Sequence, residues 1–345
     1  MFDGLPGVFN DSLPDGWGRL LLDRAMRREG VHPDELGPLD RLAHVGTRGV
    51  GALTYEPDHR ASPEEAGALD LDDLAAMTQA VLNGAADEVL QTLIELNGSS
   101  AGARPKAMIA LDQTRETIRH GGETEAGFEP WLVKFPNTQD GEGTGAVEYV
   151  YSVMAKEAGV AMPETHLFPA KAGPGYFATK RFDRVGGDRL HTHTACGLLH
   201  SDFRTPSLDY EDLLTLTEYL THDAREVEKM FRLAVFNILA HNRDDHSKNF
   251  TFLMNSAGEW TLSPAYDLTF SFGPGGEQSM TVMGEGRAPS AEHLAKLGEA
   301  GKISSKTAQD IIAQTKDALG KWRTLADAYG VRQENVDLIE QRLGR

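Results

Sequence analysis

Apolar positions fall into two regimes along this chain. From about Tyr210 onward most of the sequence carries a 3.6-residue period, whereas the first half mixes helical stretches with short strand-like runs. In EVEKMFRLAVFNILAHN, Phe231, Ala234, Val235, Ile238 and Leu239 share one stripe, which predicts a core helix that delivers its C-terminal loop to a fixed place. SAEHLAKLGEAGKISSKTAQDIIAQTKDALGKWRTLADAYG reads as further helix with Gly and Ser breaks. Upstream, WGRLLLDRAMRREG predicts a helix stopping at Gly30, and SPEEAGALDLDDLAAMTQAVLNG a second with Ser62 as N-cap. AVEYVYSVMAKEAG predicts a third, ending at Gly159. KAMIAL (106–111), WLVKF (131–135) and GYFATKRF (175–182) predict strands, and the Gly-, Pro- and Asp-rich opening to Trp17 an extended loop. The pattern implies an α+β chain in two lobes, a mixed α/β N-lobe over 1–182 and a mainly α-helical C-lobe over 183–345, without internal repeat or low-complexity tract.

Composition narrows the partners. With 345 residues, 40% hydrophobic and 25% charged, the chain has length for two cores. Its 52 acidic against 34 basic side chains leave a formal charge of -18, which repels phosphate backbones and anionic membranes. Unaided DNA binding is therefore not expected, while a basic partner, or a small anion held with a metal, stays open. The single cysteine, Cys196, can form no internal disulfide, which favours a reducing compartment, and it reads as a small buried apolar residue rather than a nucleophile. No window approaches about eighteen uncharged apolar residues. The opening is neither basic nor followed by an apolar run, so a cytoplasmic chain without membrane contact is expected.

The densest chemistry lies in HNRDDHSKNFTFLMNSAGEWTLSPAYDL, from His241 to Leu268. Asp244 and Asn249 stand in a D-x-x-x-x-N spacing, and NFTFLMN, SAGE and WTL predict a tight hairpin that returns the segment carrying Asp267 to the loop holding Asp244. Phosphoryl transfer from a nucleotide uses such a set. One carboxylate takes the proton of the attacking hydroxyl, and an amide oxygen with a second carboxylate holds magnesium on the phosphates. Asp244 is thus the candidate base, Asn249 and Asp267 the candidate metal ligands, Lys248 a candidate to steady the transferring phosphate, and His246 a loop support or nucleotide contact. A polar helix-to-strand connection would use the same residue types for capping and turning. A rival reading makes His241, Asp244, Asp245 and His246 a metallohydrolase cluster, although HNRDDH is not a zinc spacing.

If the loop handles nucleotide phosphate, another element must neutralise it. WLVKFP places Lys134 in a short strand, from which a lysine can reach phosphates, with Glu148 on the following helix as a candidate pair. NGSSAGARPK joins a helix to a strand through small residues and two cations. The backbone of Ser100, Ala101, Gly102 and Ala103, with Lys106, could cradle phosphate oxygens.

Taken in order, LPDGWGRLLLDR, HVGTRGVGAL, SSAGARPK, WLVKFPN, KRFDR, FNILAHNRDDHSKNF and LSPAYDL, spanning residues 1 to roughly 270, resemble the HipA-like serine/threonine kinases, toxins of bacterial type II toxin–antitoxin pairs. The resemblance implies a two-lobed protein-kinase-like fold using ATP and Mg2+, with the same roles for Asp244, Asn249, Asp267 and Lys134. It implies adenine contact by TKRF, hence Lys180, Arg181 and Phe182, and autophosphorylation at Ser99 or Ser100 in a loop over the nucleotide. A phosphate there would add roughly two negative charges, enough to eject the loop. It also implies a helix-turn-helix antitoxin (HipB-like) as partner, DNA contact only through that antitoxin, and an aminoacyl-tRNA synthetase as protein substrate. Full-length members carry an additional small N-terminal subdomain, so the chain is expected to be the short form, with a separate small protein in place of that piece. The competing class is a catalytically inactive nucleotide-binding module within an antitoxin–DNA repressor complex. Residues 285–345 carry no assignable chemistry and read as scaffold.

Overall fold

The structure, a computed structural model, describes residues 2–59, 68–84, 90–97, 102–121, 126–137, 143–205 and 207–344. Its contacts divide the chain into two compact units, residues 2–145 with 164–191 and residues 146–163 with 192–345. The first is mixed α/β and the second mainly helical.

The first unit is built on an antiparallel sheet. Its strands are β1 (Lys106–Asp112), β2 (Ile118–His120), β3 (Phe128–Lys134), β4 (Thr165–Phe168) and β5 (Tyr176–Lys180), in the order β2-β1-β3-β5-β4. Six of the seven residues of β1, an interior strand between β2 and β3, are buried. Ala107, Ile109, Leu111, Trp131, Val133 and Ala178 form one core with Leu71 and Leu74 of the helix Leu71–Leu82. A second core joins Trp17 and Leu21, from the helix Gly16–Arg28, to Val81, Leu90 and Leu93. The Leu71–Leu82 helix is not capped by Ser62, which lies outside the described residues. It starts later, where the Asp70 carboxylate accepts from the N–H groups of Asp72 and Asp73. β4, a four-residue strand, is an element the apolar pattern did not single out. A two-residue ladder pairs β6 (Arg184–Val185) with β7 (Asp188–Arg189).

The second unit is mainly helical, with a three-stranded sheet of β8 (His191–Thr194), β9 (Thr251–Met254) and β10 (Trp260–Leu262), in the order β10-β9-β8. The helix Ala224–Leu239, capped by Asp223, is its axis. Burial there exceeds the expected stripe: Met230, Phe231, Leu233, Ala234, Val235, Phe236 and Asn237 are all buried, whereas Ile238 and Leu239 are only half-buried. The helices Tyr210–Thr221, Ala291–Ala300 and Ser305–Leu319 and strand β10 all pack on it, so it meets protein on several sides rather than one. The helix Thr144–Glu157, which precedes β4 in sequence, joins this unit from Ala146 onward. Its Tyr151 hydroxyl donates to the Ala240 carbonyl at 2.7 Å. Residues 285–345 are chiefly four helices, and among the described residues no helix is long and apolar enough to cross a membrane.

Candidate active site

The axis helix ends at Ala240, and the following turn is fixed by His241 in the left-handed region (φ 56°) and by Asn242 N–H donating to the Asn237 carbonyl at 2.9 Å. The next residues alternate sharply. Asp244 is exposed and Asp245 has no exposed surface at all, so of the two adjacent carboxylates only the first can meet a substrate. The Asn249 side-chain N–H donates to the Asp244 carbonyl at 2.8 Å, which commits the amide nitrogen and leaves its oxygen as the atom suited to a hard cation.

The hairpin closes as the sequence suggests. β9 and β10 pair Phe252 with Leu262, Leu253 with Thr261 and Met254 with Trp260, and Asn255 N–H donates to the Glu259 carbonyl across the turn. Ser263 N–H then donates to the Thr251 carbonyl, which keeps the returning chain beside the loop. The Tyr266 hydroxyl bonds the Lys248 carbonyl and the Thr251 hydroxyl, both at 2.6 Å. Asp267 follows it directly with φ at 58°, a left-handed conformation costly for a non-glycine residue and held here by its surroundings. Lys248 and His246 share a ring, with the Lys248 ammonium 4.6 Å and the His246 ring 5.3 Å from the centre of Phe203. His246 Nδ1 is buried without a hydrogen-bond partner.

The rival hydrolase set does not assemble. His241 stacks on Phe270 at 5.2 Å, its Nδ1 faces the Ser271 carbonyl, and burial and the neighbouring Arg243 hold its pKa down. Among the described residues no three His, Cys, Asp or Glu side chains are grouped to hold a metal.

In the first unit Lys106 and Lys134 are register partners across β1 and β3, so both side chains leave the same face. Two opposed cations suit a polyanion. Lys134 also lies 5.7 Å from the Phe177 ring centre. Gly102 and the exposed Ala103 precede Lys106, whose Nζ would stand 2.7 Å from a Cβ added at Gly102. Ser99, Ser100 and Ala101 lie outside the described residues. Glu148 is buried in the helix Thr144–Glu157.

Two features of this unit escape sequence reasoning. The first explains LPDGWGR: the Asp15 carboxylate accepts from Gly102 N–H at 2.6 Å while Trp17 N–H donates to the Gly102 carbonyl at 3.0 Å. Gly16, between them, has φ 43°, and a Cβ there would sit 2.4 Å from the Gly102 oxygen. The second explains HVGTRGVGAL. Asp183, 3% exposed, accepts from both Nε and Nη2 of Arg181, from Arg184 and from Gly51 N–H. Arg184 and Arg189 donate in turn to the carbonyls of Thr47, Gly49, Gly51 and Leu53. Burial alone would raise the Asp183 pKa, but the Arg181 and Arg184 guanidiniums and Gly51 N–H more than offset it and hold it below the ordinary value. The side chains of the expected adenine strand are therefore occupied, Lys180 by Glu129 at 2.5 Å and Arg181 by Asp183.

The model of the HipA-like C-terminal domain matches residues 98–322, and that of the HipA N-terminal domain matches residues 1–56. Among curated proteins, the putative kinase Y4mE of Sinorhizobium fredii is 27% identical over 280 residues, 75% of this chain and 63% of that protein. The chain thus spans less than two thirds of that relative. The putative kinase Y4dM of the same organism is 26% identical over 333 residues, 90% of this chain and 74% of that protein. Among solved structures, the Shewanella oneidensis MR-1 complex of HipA, HipB and operator DNA contains a chain that superposes with a TM-score of 0.71 at 16% identity, over 99% of this chain and 83% of its own. At that identity it shows the fold.

Proposed function

The chain belongs to the HipA-like family, and on that premise we propose that it is an Mg-ATP-dependent serine/threonine protein kinase acting as the toxin of a toxin–antitoxin pair. The observation that carries this reading is the alternation in the loop after the axis helix. Asp244 faces out, Asn249 is tied to its carbonyl, and Tyr266 bolts the residue before Asp267 to Lys248. Asp244 orients the substrate hydroxyl and accepts its proton as the oxygen attacks the γ-phosphorus, and ADP leaves with the electron pair of the broken P–O bond. Asn249 and Asp267, an oxygen-only donor set, would hold magnesium, which when bound neutralises charge on the transferring phosphate. Lys248 steadies that phosphate. On the first unit, Lys134, Lys106 and the backbone of the loop ending at Gly102 and Ala103 bind phosphates, with Ser100 and Ala101 earlier in it. Contact with adenine from Lys180, Arg181 and Phe182 would use the carbonyls of the first two and Phe182 itself, because the side chains and N–H groups of Lys180 and Arg181 are engaged elsewhere.

The neighbouring structure is a complex with HipB and operator DNA. By analogy a helix-turn-helix antitoxin is the proposed partner here, and the formal charge of -18 favours reaching DNA through it. A translation enzyme of the aminoacyl-tRNA synthetase class as substrate, and autophosphorylation at Ser99 or Ser100, belong to the same proposal. Incubation with labelled ATP and magnesium tests it: label enters protein, and Asp244→Asn lowers the rate by about 10²-fold or more while leaving thermal stability unchanged. Bound ATP with no label on any protein would instead indicate an inactive nucleotide-binding module.

A further inference from the structure

The second carboxylate of the loop, Asp245, faces away from solvent into a polar chain of its own. Its Oδ1 accepts from Ser279 N–H at 2.9 Å and Met280 N–H at 3.3 Å, and its Oδ2 accepts from the Tyr210 hydroxyl at 2.6 Å, with the Gln278 amide nitrogen at 3.5 Å. Tyr210 accepts in turn from the Asn237 amide at 3.0 Å, and the Asn237 oxygen accepts from the Asn242 amide at 3.0 Å. The chain of contacts therefore starts at Asn242, at the head of the loop. It passes through Asn237 in the last turn of the axis helix, Tyr210 at the start of the next-door helix and Asp245, and ends on residues 278–280.

Arg243 adds a parallel tie. Its carbonyl accepts from the N–H and hydroxyl of Ser279, and its guanidinium donates to the carbonyls of Gly276 and Arg287. Residues 242, 243 and 245 are thus each pinned, and Asp244 projects from between them. All four groups around Asp245 point a donor at it, so it has neither a free lone pair nor access to act on a substrate.

We propose that Asp245 is a positioning residue of the phosphoryl-transfer site, tying the loop that presents Asp244 to the segment 276–287 that follows Asp267. This rests on the kinase reading above. Kinase segments at that place in the chain are commonly ordered by a phosphate meeting an arginine. Here a buried carboxylate and the backbone carbonyls bound by Arg243 do that work, so the segment is set without modification.

Two near-isosteric variants test the tie from opposite ends. Asp245→Asn keeps an acceptor for the two N–H groups and loses the carboxylate facing Tyr210, whereas Tyr210→Phe removes only the hydroxyl. Each should lower kcat by about tenfold or more with KM for ATP within about twofold, and the double variant should be no worse than the worse single one. In Asp245→Ala, which removes the acceptor of both N–H groups, amide hydrogen exchange should quicken at Ser279, Met280 and residues 242–249 while the helices 305–319 and 333–342 keep their protection. Wild-type kcat in both single variants, or a loss shared equally by kcat and ATP affinity, overturns the proposal. If the wild-type chain transfers no phosphate, the kinase reading fails on its own, and the exchange experiment still decides the tie: unchanged protection at Ser279 and Met280 in Asp245→Ala refutes it.

Discussion

Replacing Asp183 by Asn should destabilise the first unit more than any surface change could. The side chains of Arg181, Arg184 and Asp183 are only 8%, 13% and 4% exposed, so the substitution leaves two guanidiniums shielded from water and turns an acceptor into a group that offers them N–H donors. Removing one partner from a buried ion pair costs about 3–5 kcal/mol, most of it the penalty of the charge left behind. In a unit of about 170 residues each kcal/mol lowers the midpoint by roughly 2–4 °C, so a fall of roughly 6–20 °C is expected by circular dichroism or dye-monitored melting. Arg181→Met removes one guanidinium and leaves Asp183 its bonds to Arg184 and Gly51. In combination the two changes should cost about 1 kcal/mol or more less than the sum of the single effects, because Arg181→Met removes one of the guanidiniums that Asp183→Asn strands. A midpoint within about 2 °C of wild type for Asp183→Asn, or strict additivity, would refute the claim that this cluster clamps residues 47–53.

Two further outcomes follow from the first unit. Gly16→Ala would force a Cβ against the Gly102 oxygen at a left-handed φ, so a loss of about 1–3 kcal/mol and weaker ATP binding by calorimetry are expected. The folded-state pKa of Asp183 lies below its ordinary 3.8, so its contribution is complete above that pH and is lost as pH falls through the depressed value. The stability gap between wild type and Asp183→Asn should therefore narrow below about pH 4 in melts across an acid series.

Long periodic stretches were legible because a helix such as Ala224–Leu239 repeats its signal over four turns, and the hairpin was legible because turn residues sit between two short strand-like runs. Its burial beyond one stripe was not, since periodicity describes one face and says nothing of partners arriving from elsewhere. Spacing located Asp244, Asn249 and Asp267 in one segment, but in a pair of adjacent aspartates it has no means of telling which is buried. The Asp183 cluster and the Asp15 latch join residues more than eighty positions apart, so no window could reveal them. Resemblance marked LPDGWGR and HVGTRGVGAL as meaningful without giving the reason. Geometry supplies it: one anchors Gly102, the other offers carbonyls to arginines.

The helix Thr144–Glu157 has a consequence for how the protein is made. It leaves the ribosome early, yet Tyr151 needs Ala240 and Trp322, and Tyr149 needs Tyr329. Until those residues have been synthesised this apolar surface lacks its native partners, which makes products truncated before them candidates for chaperones and proteases. The second unit therefore cannot complete its packing before residues 322–329 are synthesised.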